Sequence, residues 1–159
     1  MNTSTERPID RWFASYSGDH RNDTNQWIHV FAVPLILWSV IALLWCIPVS
    51  PMVGRPGFWS GMAIAAASIF YWQLSRRLEF GMLIVFVAFW LLCLYLQMLF
   101  GVAFLFWTAT TVFVIAWIGQ FIGHKIEGRK PSFLTDLSYL LIGPLWVLAK
   151  LYRKLGIPY

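Results

Sequence analysis

From Phe80 to Gly123 the chain carries no charged residue. At about 1.5 Å per residue, one helix of that length would reach about twice the roughly 30 Å of bilayer hydrocarbon. The run therefore has to hold two membrane spans, and the polar Gln97 and the glycine at 101 mark where to divide it, giving spans at about 80–98 and 102–123. Two earlier segments also qualify. One covers about 28–47 and ends at Pro48 and the turn-forming SPMVGRPG; the other covers about 58–74 and ends before Arg76 and Arg77. Hydrophobic residues make up 59% of the 159 positions and charged residues 12%, more apolar surface than a soluble core of this size could bury. The expectation is all-α: a polytopic membrane bundle of four transmembrane helices in a single domain over 1–159, with 1–27 as a cytoplasmic N-terminal segment.

Counting crossings places the N-terminus, the Arg76–Arg77 turn and the end of the fourth span on one side. That side holds Arg7, Arg11, Arg21, Arg76, Arg77, Lys125, Arg129 and Lys130, whereas the opposite loop after the first span holds only Arg55. The excess of cations makes the first side cytoplasmic. The net charge of +5 then reads as topology and attraction to anionic membrane lipids, with no nucleic-acid role. The ten tryptophans fall mostly at span ends, as an interfacial aromatic belt does. Cys46 and Cys93 stand singly in apolar runs and read as small core hydrophobes. The polar N-terminus lacks the pattern of a cleaved signal and is expected to be retained, compatible with a bacterial inner membrane.

Residues 134–152 are apolar but interrupted by Gly143 and Pro144, and Lys150, Arg153 and Lys154 close the segment. A fifth crossing would carry those three cations to the wrong side. The expectation is a re-entrant or interfacial helix pair that stays on the cytoplasmic face and can cover a site there.

All three histidines of the chain fall on that face. His20 and His29 are nine residues apart, so on one unbroken helix they would point in opposite directions. They can share a ligand only if the chain bends, and Asn22, Asp23, Thr24 and Asn25 are good turn and N-cap residues between them. Asn25 then lies one turn before His29. In the second cluster Gln120, His124 and Glu127 follow at i, i+4 and i+7 along one helical face, before Gly128 and Pro131 end the helix. Three imidazoles, a carboxylate and two carboxamides without a thiolate suit a non-haem iron(II) or a catalytic zinc site. Glu127 could ligate the metal, orient a histidine, or pair with Lys125, Arg129 or Lys130. Glu79, near Arg76 and Arg77, reads as a surface or interfacial ion partner.

The pattern Tyr16-x3-His20-x4-Asn25-x3-His29-x4-Pro34, followed by Gln120-x2-Gly123-His124-x2-Glu127-x3-Pro131 and by Leu141-Ile-Gly-Pro144-Leu-Trp, resembles the 2-hydroxy fatty acid dioxygenase family. These are small membrane proteins, long catalogued as a domain of unknown function, whose yeast member acts in phytosphingosine breakdown. Ala32 stands where the family often has glycine. The resemblance implies an Fe(II)-dependent α-oxidation in which a 2-hydroxy fatty acid and dioxygen give the fatty acid one carbon shorter. By the same resemblance His20, His29 and His124 would hold iron, with Glu127 a fourth ligand or a supporting base, and Asn25 and Gln120 orienting ligands or substrate. Such an acid can chelate a metal through its hydroxyl and carboxylate. Arg21, Arg129 or Lys130 could neutralise the carboxylate while the acyl chain stays between apolar helices. Other readings of the same residues are a zinc-dependent lipid amide or ester hydrolase, a haem-binding electron carrier, and a non-enzymatic lipid-binding protein. The haem carrier fits less well, because His20 and His124 lie at the edge of the bundle.

Overall fold

A computed structural model describes residues 7–128 and 133–159, which form five helices and no strand. They are α1 (Pro8–Asp19), α2 (Asp23–Trp45), α3 (Phe58–Leu74), α4 (Arg76–Glu127) and α5 (Phe133–Lys154). The all-α expectation holds. Arg129, Lys130 and Pro131, singled out above, lie outside the described residues.

The segment before the first span is itself helical, which the sequence reading did not assign. Pro8 in the first turn and Asp10, bonded to Arg7 at 2.8 Å, favour helix initiation. Ile9, Phe13 and Tyr16 recur at helical spacing and bury one face. The expected bend then follows. Asn22 caps α2 by accepting from the backbone N–H groups of Thr24 (2.9 Å) and Asn25 (3.3 Å), a cap that typically contributes about 1 kcal/mol. Because α1 stops at Asp19 and α2 starts afresh at Asp23, His20 and His29 are freed from a common helical register.

Within α4 the expected division falls at Gly101, where φ is 84° and ψ is 168°. That backbone region is essentially closed to residues with a Cβ, so a glycine is what lets one apolar rod become two. Gln97, the other marker of the division, accepts a hydrogen bond from the Trp45 indole at the far end of α2. A polar side chain in an apolar run thus has a partner.

By length and composition, α2 and α4 can each cross a membrane. Their surroundings differ: 44% of the most apolar stretch of α2 is buried within the chain, against 11% for α4. A soluble protein buries such a helix, whereas α4 leaves Ile84 72% and Met98 75% exposed. At 17 residues, α3 stands at the lower limit for a span.

The expected pair of C-terminal helices is instead one continuous helix. Pro144 deprives α5 of a single N–H, whose acceptor would be the carbonyl of Leu140. Ile142, Leu145, Trp146 and Ala149 still form an unbroken buried stripe through that point. The neighbouring Leu141 carbonyl accepts from the Tyr71 hydroxyl at 2.8 Å. Beyond α5 the chain lies against the starts of α1 and α4, where Arg7 and Arg77 donate to the carbonyl oxygens of Tyr159 (2.6 Å) and Pro158 (3.3 Å).

Glu79 departs from the reading as a surface or interfacial ion partner, since no ion pair involves it among the described residues. It is only 4% exposed, and its Oε2 has no hydrogen-bond partner among the described residues. Burial raises its carboxyl above the usual range, toward the neutral form that a low dielectric favours.

Candidate metal centre

His20 follows the last turn of α1, His29 lies in the second turn of α2, and His124 occupies the last turn of α4. One ring nitrogen from each lies within 4.8 Å of the others. His20 and His29 are each 2% exposed, and His124 is half-buried.

The local backbone fixes two of the rings. The Nδ1 of His20 is 2.7 Å from the carbonyl oxygen of Tyr16, and the Nδ1 of His29 is 2.9 Å from that of Asn25, four residues earlier in each case. A carbonyl oxygen only accepts, so each Nδ1 carries the proton and each Nε2 presents its lone pair. Those two Nε2 atoms stand 3.0 Å apart. With both rings neutral, two lone pairs face each other; a bond between them requires an imidazolium in a buried pocket, which desolvation opposes. A divalent cation resolves the conflict, and tethering Nδ1 to a carbonyl is how metal-binding histidines are usually oriented. The donor set therefore fits a nitrogen-preferring transition metal. Tyr16 also stacks face to face on the His20 ring, with centroids 4.2 Å apart.

Glu127 does not join this cluster. Its carboxylate accepts from the backbone N–H of Arg21 (2.9 Å), the backbone N–H of Asn22 (3.0 Å) and the Asn25 side-chain amide (2.9 Å). Partial burial pushes the Glu127 carboxyl up, but the Asn25 amide and the two N–H groups together outweigh it and hold the group below its ordinary value of 4.5. The carboxylate thus ties the α1–α2 corner, which carries His20 and His29, to the last turn of α4, which carries His124. Asn25 belongs to both connections, since its side chain meets Glu127 and its carbonyl holds His29.

This corner packs directly on α4 at Gly123. A Cβ built there would lie 2.3 Å from Asn25 Oδ1, so the chains can approach this closely only without a side chain. Gly123→Ala should displace Asn25 and with it the Glu127 contact. The expected cost is about 1–3 kcal/mol of stability, together with a loss of metal affinity larger than the loss of helix content. Metal titration beside circular dichroism measures both.

The three histidines and Gln120 form the head of an apolar cavity of about 160 Å³ that α5 covers with Tyr139, Leu141 and Pro144. Gln120 is 6% exposed and lies one turn deeper than His124. Arg21 is not among the lining residues; its guanidinium donates to the Gly18 carbonyl at 3.1 Å.

The sequence suggests that the 134–152 segment can cover a site on this face, as α5 does, but not the bonds by which α5 holds the α1–α2 corner. Lys150 donates to Gln26 Oε1 at 2.6 Å, and Gln26 Nε2 in turn donates to the His20 carbonyl at 2.9 Å. The same Lys150 ammonium sits 3.9 Å above the Trp146 ring, whose Nε1 donates to Ser17 Oγ at 2.9 Å. The available signal was the one-turn spacing of Trp146 and Lys150 on an amphipathic helix. Its partners lie over a hundred residues away in the chain, and no local pattern names them.

No match was found among curated proteins or among solved structures. The family comparison does match: the profile described as "2-hydroxy-palmitic acid dioxygenase Mpo1-like" covers residues 7–155, and so takes in both histidine clusters, the α1–α2 corner and α5. With the match extending over nearly all of the described fold and the whole of the histidine cluster, the chain belongs to the Mpo1-like family.

Proposed function

We propose that this protein is a membrane-embedded, iron(II)-dependent dioxygenase that shortens a 2-hydroxy fatty acid by one carbon. The balanced reaction takes the 2-hydroxy acid and dioxygen to the acid one carbon shorter, carbon dioxide and water. The observation that carries this reading is the convergence of three histidine nitrogens within 4.8 Å at the head of an apolar cavity, and the family to which the chain belongs supports it.

Bound iron(II) would supply the redox chemistry that lets dioxygen react with the 2-hydroxy acid. The residues of the chain supply the rest. His20, His29 and His124 would hold the metal, the first two with tautomers already set by the carbonyls of Tyr16 and Asn25. Glu127 would act by fixing the geometry of that triad through the α1–α2 corner. Gln120, facing the cavity, would orient the polar head of the substrate. Arg21, and Arg129 and Lys130 in the sequence that follows His124, would neutralise the substrate carboxylate. The apolar lining below the histidines keeps water from the reacting carbons.

In the membrane, α2, α3 and the two parts of α4 would make four spans, with α5 lying in the interface and the centre on the cytoplasmic face. An interfacial site suits an amphiphile whose carboxylate stays near water while its chain enters the bundle.

The test is metal analysis of protein purified without oxygen, paired with oxygen uptake on 2-hydroxyhexadecanoate after adding iron(II) or zinc. Iron near one per chain with iron-dependent uptake is the expected result. Bound zinc without oxygen uptake would replace this reading with a hydrolase, and no bound metal would leave a lipid-binding protein.

A further inference from the structure

We propose that Ala63 and Ala67 of α3 set the acyl chain length this site accepts, by forming the wall against which the distal carbons of a single unbranched chain pack. The inference rests on the reading of the centre as acting on a 2-hydroxy fatty acid, and it concerns the cavity below the histidines.

The polar lining is gathered at the cavity's head, around the histidines and Gln120, and nearly everything deeper is aliphatic or aromatic carbon. Such a distribution selects a ligand with one polar end and a long apolar tail. Along α2 the lining recurs turn by turn from His29 through Val33, Leu37 and Ile41 to Leu44. At 1.5 Å per residue that stripe is about 22 Å long. An extended hydrocarbon chain advances roughly 1.3 Å per carbon, given carbon–carbon bonds near 1.5 Å. The stripe therefore matches in length an extended tail of roughly sixteen carbons.

The opposite wall is α3, which runs back toward the histidine end. Tyr71 marks its shallow end through the bond to Leu141. Ala67 lies one turn deeper and Ala63 two turns deeper, on the same face. The other cavity residues contributed by α2 and α3 are all larger than alanine. The space beside Leu37, Ile41 and Leu44 thus exists because α3 presents two methyl groups there. A leucine at either position would fill it, and the two positions differ in depth by four residues, about 6 Å. That separation corresponds to roughly four or five carbons of chain.

The experiment measures kcat/KM for 2-hydroxy acids from octanoate to octadecanoate with the wild-type protein, Ala63→Leu and Ala67→Leu in lipid nanodiscs. In parallel, equilibrium binding of radiolabelled unsubstituted decanoic and hexadecanoic acids is measured on the metal-free proteins. Both variants should raise the preference for the shorter acid over the longer by about tenfold or more, the scale of a few clashing methylenes. The cut-off of Ala67→Leu should fall about four to five carbons below that of Ala63→Leu. Binding should follow the same order. Should Ala67→Leu fail to fold, Ala67→Val gives a smaller shift in the same direction. Parallel changes at all chain lengths, or a deeper cut-off for Ala67→Leu than for Ala63→Leu, would overturn the proposal. Absence of oxygen uptake by the wild-type protein on every acid would sink the dioxygenase reading instead, and the binding series alone would then decide whether α3 gauges chain length.

Discussion

His29→Ala protein, purified without oxygen, is expected to hold almost no iron and to consume no oxygen on a 2-hydroxy acid. The substitution removes one of three nitrogens that lie within 4.8 Å of one another, and among the described residues no carboxylate stands in the cluster to replace it. Loss of an outer hydrogen-bonding partner alone typically weakens metal binding by about 10–100-fold. Loss of a ligand should exceed that. His124→Ala should behave in the same way, although it leaves the close pair of His20 and His29 intact. Thermal stability offers a readout independent of turnover. Metal present at about a hundred times its dissociation constant stabilises a folded protein by about 2.7 kcal/mol, so a chelator should lower the melting temperature of the wild-type protein and leave that of either variant unchanged. A variant that keeps both full metal and full turnover would dissolve the shared centre.

Glu127→Gln is expected to weaken metal binding by about 10–100-fold while leaving the stoichiometry at saturating metal intact. The carboxylate now receives three donors, two from the backbone at Arg21 and Asn22 and one from Asn25. A carboxamide keeps one acceptor oxygen, but its amino group would face a donor across the same gap. The α1–α2 corner should loosen, and the two rings it carries should lose their fixed distance from His124. If Glu127 were instead a ligand, stoichiometric binding itself would fail at saturating metal. The pH dependence of the metal-free protein gives a second measure. The folded-state value of the Glu127 carboxyl is depressed, so its stabilisation is complete above the ordinary value of 4.5 and is lost as pH falls through the lower folded-state value. In that acid window the melting temperature of the wild-type protein should fall toward that of Glu127→Gln. A constant difference between the two proteins down to the lowest pH would contradict the assignment.

The features legible in the sequence are those fixed by neighbours in the chain. The charge-free run from Phe80 to Gly123 dictated apolar helix, and the glycine at 101 broke it, because such a backbone conformation excludes a Cβ wherever it occurs. The corner between α1 and α2 was readable from Asn22, whose cap bonds reach only two and three residues. Helix α1 was overlooked although Ile9, Phe13 and Tyr16 carried its period, since three apolar positions in a polar stretch give a weak signal. Gly143 and Pro144 suggested a break in α5 that does not occur. The cost of one missing hydrogen bond is local, while the buried stripe that runs past it is held by tertiary contacts with other helices.

The same division separates the parts of the candidate site. Sequence by itself determined an apolar, helical chain, its division at Gly101 and the presence of three histidines near helix ends, because hydropathy, capping and glycine geometry act over a few residues. Only the tertiary structure decided that His20 and His29 turn their Nε2 atoms on one another at 3.0 Å, and that Glu127 binds the corner 105–106 residues earlier in the chain. It also decided that α5 covers the cavity and that α3 gives it two alanines. Those outcomes depend on how closely separate helices approach, and that distance is set by every side chain packed between them, down to the Cβ that Gly123 lacks.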